Sequence, residues 1–142
     1  MGDSIVVGTD GSDTAKRAVA EAARLAHALG SEVHIVSAYE PLRAVRVAGA
    51  TEDLQPRPDS IVESTLAQAA AAVRIAEVAV KTHAIRGDPA DALVTVAAEV
   101  DANLIVVGSQ GMHGAKRVLG SVPNTVSHKA RCNVLIVSTD QR

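Results

Sequence analysis

Short runs of β-branched apolar residues alternate along the chain with longer segments in which apolar residues recur at helical spacing. This alternation is typical of βαβ units, in which helices connect the strands of a parallel sheet. The apolar runs predict five strands: Ser4–Thr9, Glu32–Tyr39, Val78–Ile85, Ala102–Gly108 and Asn133–Val137. The pattern therefore favours an α/β fold.

The first two helices are predicted from their end signals and spacing. Ser12 or Asp13 precedes apolar residues at helical spacing and serves as the N-cap, and Gly30 ends that helix. The alanine-rich segment Asp59–Ala76 predicts a second helix. Between the second strand and this helix, Glu40–Pro58 shows no periodicity and reads as a long connection, a length typical of lids and binding loops.

Two further helices are predicted from serine, aspartate and proline signals. Asp88 is a candidate N-cap with Pro89 at the first helical position. Ser121 is expected to cap the last helix, with Pro123 in its first turn.

The strands differ in polarity, which predicts their places in the sheet. The first and fourth are apolar enough to lie side by side at the centre, whereas Lys81, Thr82 and His83 give the third strand the character of an edge. In an open doubly wound sheet, ligands bind at the carboxyl ends of the strands, where the winding reverses. We therefore expect the segments 10–12 and 108–121 to face each other across a binding crevice.

Composition limits the function classes. The 142 residues, taken as one domain spanning 1–142, are enough to form a single core. With a formal charge of −2, one tyrosine and no Phe or Trp, the chain lacks the basic patches and aromatic platforms of a general nucleic-acid binder. The absence of a leader-like or membrane-spanning run in the sequence predicts a cytoplasmic protein with no membrane or nucleic-acid partner.

Neither cysteine nor histidine predicts a metal centre. Cys132 is the only cysteine, so it is read as a small buried thiol rather than a redox group. His27, His34 and His83 lie on separate predicted elements and show no metal-ligand spacing.

Glycines cluster after the fourth strand. Gly108, Gly111, Gly114 and Gly120 occur within a short span that ends at Ser121. Glycines let backbone N–H groups converge on an anion, and a helix N-terminus adds the positive end of its dipole. No Asp or Glu occurs in 102–137, where four basic residues lie: Lys116, Arg117, Lys129 and Arg131. The segment therefore predicts a phosphate cradle, although a solvated basic face is the alternative.

The motif Gly108-x2-Gly111 followed by Gly120-Ser121 resembles the nucleotide-binding signature of the universal stress protein family. The stretches "IVVGTDGSDTAKRAV" and "GDPADALV" are also similar to that family, so the resemblance covers essentially the whole chain. It implies a Rossmann-like, adenine nucleotide alpha hydrolase-like sheet of order 3-2-1-4-5. It further implies a homodimer through the last strand, Asn133–Val137, and places the chain in the ATP-binding branch.

Carried over by position, the resemblance implies specific nucleotide contacts. Asp10 would lie near the ribose and a nucleotide-bound Mg²⁺ or Mn²⁺, Ala38 would offer backbone groups to adenine, and Val107 would line the ribose pocket. The glycines would cradle phosphates and Ser121 would donate its hydroxyl. The full set of expected contacts is Gly8, Thr9, Asp10, Ala38, Gly87, Val107, Gly108, Gly111, Gly114, Gly120, Ser121 and Val122.

The chain departs from the family pattern in its spacer. Met112–Leu119 supplies eight residues between the second glycine and the Gly-Ser pair, where the family usually has nine. The shorter arc leaves ATP, AMP and cAMP as alternatives.

Three functions stay open at this point. The first is a nucleotide-binding stress regulator or sensor that acts on an unknown protein partner. The second is a dimeric interaction module without nucleotide, and the third is a slow ATPase. No catalytic constellation is visible in the sequence, so an efficient enzyme is not expected.

Overall fold

The computed structural model describes residues 3–40, 58–109 and 120–138. Within these ranges the chain forms five strands and four helices in alternation. They are β1 (Ser4–Gly8), α1 (Asp13–Leu29), β2 (Glu32–Tyr39), α2 (Pro58–Ile75), β3 (Val80–Arg86), α3 (Pro89–Glu99), β4 (Leu104–Gly108), α4 (Ser121–Lys129) and β5 (Asn133–Val137).

The strands form one parallel sheet of order β3-β2-β1-β4-β5. This confirms the doubly wound α/β fold and its strand order. β1 and β4 are neighbours, with Val7 opposite Val106, and β3 lies at an edge, as its polar residues predict. Because the winding reverses between β1 and β4, their carboxyl ends form the switch point at which such sheets bind ligands.

Each face of the sheet carries an apolar layer. Alternate side chains such as Val7 and Ile35 pack with α1 and α2, while Val6 and Ile105 pack with α3 and α4. These four side chains are at most 1% exposed, and burial of each contributes roughly 1.5–3 kcal/mol. The two layers hold the strand ends in place.

Several helix ends follow the sequence signals. The Ser12 hydroxyl accepts a hydrogen bond from Ala15 N at 3.2 Å and caps α1, and an Asp88 carboxylate oxygen accepts one from Asp91 N at 3.1 Å and caps α3. Gly30 ends α1 in the left-handed conformation, with φ 69°.

The predicted cap of α4 is wrong. Gly120 is the N-cap and Ser121 is already the first helical residue. Gly120 has extended backbone angles, φ −60° and ψ 162°, which are those of an N-cap, so the helix begins at Ser121, one residue earlier than it would with Ser121 as the cap.

Other boundaries shift by one or two residues. β3 is Val80–Arg86 rather than 78–85, because the chain reverses at Glu77, which has a φ of 61°. α2 is displaced by one residue toward the N-terminus of its predicted range, β1 ends at Gly8, and β4 begins at Leu104. Such shifts are usual, because hydrophobic pattern does not mark the ends of elements sharply.

Some sequence expectations lie outside the described residues. These are nearly all of the 40–58 connection, the glycines Gly111 and Gly114, and the spacer 112–119. In the part of the chain that is described, no helix is both long and apolar enough to cross a membrane. Cys132 is half-buried rather than fully buried, and burial raises the pKa of its thiol.

Candidate functional site

A cavity of about 200 Å³ opens at the carboxyl ends of β1 and β4, at the switch point. Residues from β1, β2, β4 and three helices form its wall. They are Gly8, Thr9, Asp10, Ala15, Val36, Ala38, Pro89, Leu93, Val107, Gly108, Val122 and Pro123.

Most of this wall is apolar. Val36 and Ala38 project from β2 and Leu93 projects from α3, all within the layer that covers this face of the sheet. A Cβ atom built on Gly8 would lie 3.2 Å from the Leu93 side chain, so the glycine lets Leu93 pack closely against β1. The cavity thus offers a largely apolar surface suited to an apolar ring.

Two polar side chains, Thr9 and Asp10, lie where β1 leads into α1. The Thr9 hydroxyl accepts a hydrogen bond from Gly11 N at 3.1 Å, and Thr9 N donates to the Val36 carbonyl at 2.9 Å. One Asp10 carboxylate oxygen accepts from Ser12 N at 2.9 Å, and the residue is exposed. These bonds fix the turn and hold the Asp10 carboxylate at the mouth of the cavity.

The three helices that line the cavity, α1, α3 and α4, begin at the carboxyl ends of the strands and differ in their caps. Side chains of Ser12 and Asp88 accept hydrogen bonds from the first turns of α1 and α3. At α4 the cap is Gly120, and no side chain of the described residues accepts a hydrogen bond from its first turn. The Ser121 and Val122 N–H groups therefore lie at the positive end of α4, and Val122 itself forms part of the cavity wall. This is the geometry of an anion site.

The basic residues of α4 do not all serve this edge. Lys129 lies in the last turn of α4 and donates a hydrogen bond to Asp91 of α3 at 2.9 Å, and this contact raises the pKa of the lysine. The ion pair ties α3 to α4, so the charge of Lys129 is already matched by a carboxylate. Lys116 and Arg117 lie outside the described residues.

The structure brings seven of the predicted contacts together on the cavity wall: Gly8, Thr9, Asp10, Ala38, Val107, Gly108 and Val122. Gly120 and Ser121 begin α4 next to Val122 but are not among the described lining residues. Gly87 follows β3, with a φ of 129°, and donates a hydrogen bond to the Tyr39 carbonyl. Gly111 and Gly114 lie outside the described residues.

Sequence reasoning missed the apolar half of the wall. Pro89 and Leu93 lie four residues apart on α3, so they share one helix face, and Ala15, Val36 and Pro123 complete the surface. Their spacing was visible in the sequence, but it is equally that of an ordinary core-facing helix. For metal binding, no group of three His, Cys, Asp or Glu side chains converges among the described residues.

Comparisons with known proteins agree with this architecture. The sequence matches the universal stress protein family over residues 1–138. A universal stress protein of Mycobacterium tuberculosis is 40% identical over 141 residues, covering 96% of each chain. A universal stress protein crystallised in complex with cAMP has a TM-score of 0.78 and 35% identity, covering 98% of each chain.

A universal stress protein from Archaeoglobus fulgidus in complex with dAMP has a TM-score of 0.73 and 29% identity, covering 94% of this chain and 96% of that one. Both the sequence similarity and the structural similarity extend over nearly the full length of the chain. The chain belongs to the universal stress protein family.

Proposed function

We propose that this protein binds an adenine nucleotide in the cavity at the carboxyl ends of β1 and β4 and acts as a regulator or sensor in a stress response. The observation that carries the proposal is the N-terminus of α4, which has no side-chain cap from the described residues and adjoins an apolar cavity at the switch point. Related structures bind cAMP and dAMP, and each of these ligands combines an adenine ring with one phosphate.

The cavity suggests how the ligand lies. The adenine ring packs between the β2 wall at Ala38 and Leu93 of α3, and backbone groups at the end of β2 meet its polar edge. The ribose lies near Asp10 and Val107. The phosphate accepts hydrogen bonds from the N–H groups of Ser121 and Val122, where the helix dipole favours negative charge.

ATP is the nucleotide that the family resemblance favours, with AMP and cAMP as alternatives. The monophosphates bound by the two related structures support a site built around one phosphate position. If a triphosphate carries Mg²⁺ or Mn²⁺, Asp10 is the carboxylate on the described wall that can reach it. Mg²⁺ commonly binds through phosphates, water and one or two carboxylates, so one residue suffices.

Regulation is favoured over catalysis. On the described wall Asp10 is the only carboxylate, and one of its oxygens already binds Ser12 N. A hydrolase would need a general base placed against the scissile phosphate. Binding can still change the molecule, because a ligand shifts an equilibrium by its differential affinity for two states. We place this binding protein in the cytoplasm, as a homodimer through β5 that signals to a protein partner.

Calorimetric titration with ATP, AMP and cAMP tests the proposal. Ala38→Leu fills the cavity and should weaken binding of the preferred nucleotide by about tenfold or more, corresponding to at least ~1.4 kcal/mol. Ala84→Leu adds the same side chain at an exposed position on β3 and should bind like the wild type.

Two outcomes would contradict the proposal. Binding to the wild type with none of the three nucleotides would favour the interaction-module function instead. Equal binding by a folded Ala38→Leu variant would move the site away from this cavity.

A further inference from the structure

Two histidines that the sequence places on separate strands meet inside the structure. His34 of β2 is only 3% exposed, and its Nδ1 lies 2.9 Å from Nε2 of His83 on β3. Its other ring nitrogen, Nε2, lies 2.8 Å from a carboxylate oxygen of Glu32. The two imidazole rings are 5.1 Å apart between centroids. Glu32, His34 and His83 thus form a continuous hydrogen-bonded chain, which we call the histidine relay.

The chemistry of the acceptor fixes the direction of the relay. An ionised carboxylate only accepts hydrogen bonds, so Nε2 of His34 carries a proton and donates it to Glu32. Neutral imidazole has one N–H, so Nδ1 of His34 is then an acceptor and Nε2 of His83 must be the donor. At neutral pH every shared position therefore holds one proton, and both hydrogen bonds are satisfied.

The hydrogen bond between the two rings can persist when one proton is added to the relay, but not when two are added. A first proton on Nδ1 of His83 leaves its Nε2–H bond to His34 intact. A second proton on Nδ1 of His34 would set two N–H donors against each other and join two cations in a partly buried site. Because unpaired buried polar groups are costly, the contact between the rings would break.

Groups on β2, β3 and α3 influence the protonation of His83. His34 and His83 face the layer formed by α3 and α4, since Val36 and Ile85 on the same strands pack there. Burial, His34 and Lys81 lower the pKa of His83, whereas Glu99 of α3 opposes this change.

The carboxylate end of the relay is held ionised. The hydrogen bond from His34 lowers the pKa of Glu32, with help from Lys81 and the Ser4 hydroxyl. The helix α2 packs on the other face of the sheet, so its charged residues Glu63 and Arg74 do not face the relay.

β3 is the strand that this chemistry affects. It is an edge strand, and within the described sheet its pairing partner is β2 alone. Val36 pairs with His83 in the backbone register, so the His34–His83 bond crosses diagonally between the two strands. It is a side-chain link added to the backbone ladder.

We propose that the histidine relay of Glu32, His34 and His83 acts as a proton-sensitive latch: it holds edge strand β3 to β2 at neutral pH and releases β3 when both imidazoles are protonated. None of these three residues lies on the described wall of the nucleotide cavity.

Urea unfolding at about pH 7.5 and about pH 5 tests the latch, because histidine titrates between these values. His83→Gln keeps an N–H donor for His34 but cannot take up a proton. A group whose pKa is lowered in the folded state binds fewer protons there than in the unfolded chain, so stability falls as the pH drops below about 6.5. The unfolding constant should therefore rise several-fold more on acidification in the wild type than in His83→Gln, because the pKa of His83 is lowered in the folded chain.

His27→Gln is the matched control, because His27 is exposed on α1. It should retain the full acid response of the wild type. A His83→Gln variant with the same acid response as the wild type and this control would overturn the proposal.

A direct readout on the unaltered protein keeps the test independent of variant folding. Imidazole ¹⁵N NMR at neutral pH should show His34 protonated at Nε2, and amide exchange in β3 should accelerate at about pH 5 beyond the intrinsic pH effect. A His34 proton on Nδ1, or unchanged β3 protection at about pH 5, would overturn the latch.

Discussion

Gly120 carries much of the proposed chemistry without a side chain. It precedes α4 as the N-cap, while the corresponding positions of α1 and α3 are Ser12 and Asp88, whose side chains occupy the free N–H groups. The third residue of α4 is Pro123, which has no N–H, so the donors that Gly120 leaves to a ligand are the N–H groups of Ser121 and Val122. The same feature makes this residue a sensitive test of where the phosphate lies.

Gly120→Asp should separate stability from binding. The carboxylate would accept a hydrogen bond from the N–H of Val122, since Pro123 has no N–H, and raise the free energy of unfolding by a few tenths of a kcal/mol, the usual difference between Asp and Gly at an N-cap. It would also compete with the phosphate and repel it, so the Kd for AMP should rise by about tenfold or more. Calorimetry and urea unfolding measure the two effects.

Gly120→Asn is the matched control, since it caps the helix without a charge. It should gain similar stability and lose less affinity than Gly120→Asp. Wild-type affinity in the aspartate variant would show that no anion docks at this helix end.

At the residue scale, the sequence predicts roles that depend on local chemistry. Ser12, Asp88 and Gly30 act at the helix ends as expected, because capping depends on neighbours a few positions away. The His34–His83 contact could not be found in this way, since it requires the register between β2 and β3. That register is set by the packing of the whole sheet.

At the element scale, α1 is defined by clear signals at both ends. It runs from a Ser12 cap to Gly30, and its buried face consists of small residues that let it lie close to the sheet. Apart from its chain neighbours, no atom of the described residues lies within 4 Å of a Cβ atom built at Gly30, so the backbone conformation is what limits a substitution there.

Gly30→Ala should therefore lower the free energy of unfolding by about 1–2 kcal/mol, the cost of a left-handed conformation for a residue with Cβ. Gly30→Asn should cost less, because asparagine adopts this conformation more readily. Urea unfolding of both variants measures the difference. A Gly30→Ala variant as stable as the wild type would show that the helix end can rearrange.

Element types were predictable because each has its own hydrophobic period, but their limits were not. The buried residue Val78 extends the apparent apolar run of the third strand, whereas the reversal at Glu77 delays the strand to Val80. Burial and strand pairing are different properties, and the sequence pattern reports burial.

At the scale of the whole molecule, the two edges of the sheet differ. β3 is polar, with Lys81, Thr82 and Arg86 exposed, whereas β5 consists of an exposed asparagine followed by four half-buried aliphatic residues. An apolar edge strand invites pairing with another chain, and polar side chains discourage it. We therefore expect two copies to associate through β5.

Leu135→Lys on β5 should yield a monomer where the wild type is a dimer, as measured by sedimentation equilibrium. Thr82→Lys places the same charge on the opposite edge and should leave the dimer intact. Circular dichroism checks that both variants are folded. A monomeric wild type, or a dimer that persists in a folded Leu135→Lys variant, would contradict association through this edge.

The strand order and the position of the cavity at the switch point could be predicted from the polarity of the strands. Apolar strands belong at the centre of a parallel sheet, and a switch point between β1 and β4 follows once their adjacency is inferred. The apolar half of the cavity was not predictable, because Leu93 and Val36 have the pattern of core residues, and only the arrangement of β2 and α3 turns them toward an opening.

We propose that an adenine nucleotide binds with its phosphate at the start of α4. Titration of ¹⁵N-labelled protein with AMP, followed by amide chemical shifts, tests this placement. The largest changes are expected at Ser121, Val122 and Ala38, with little change at Gly30 and Glu77, which lie at the amino ends of the strands. Changes confined to the amino ends of the strands, or none at saturating AMP, ATP and cAMP, would contradict this placement.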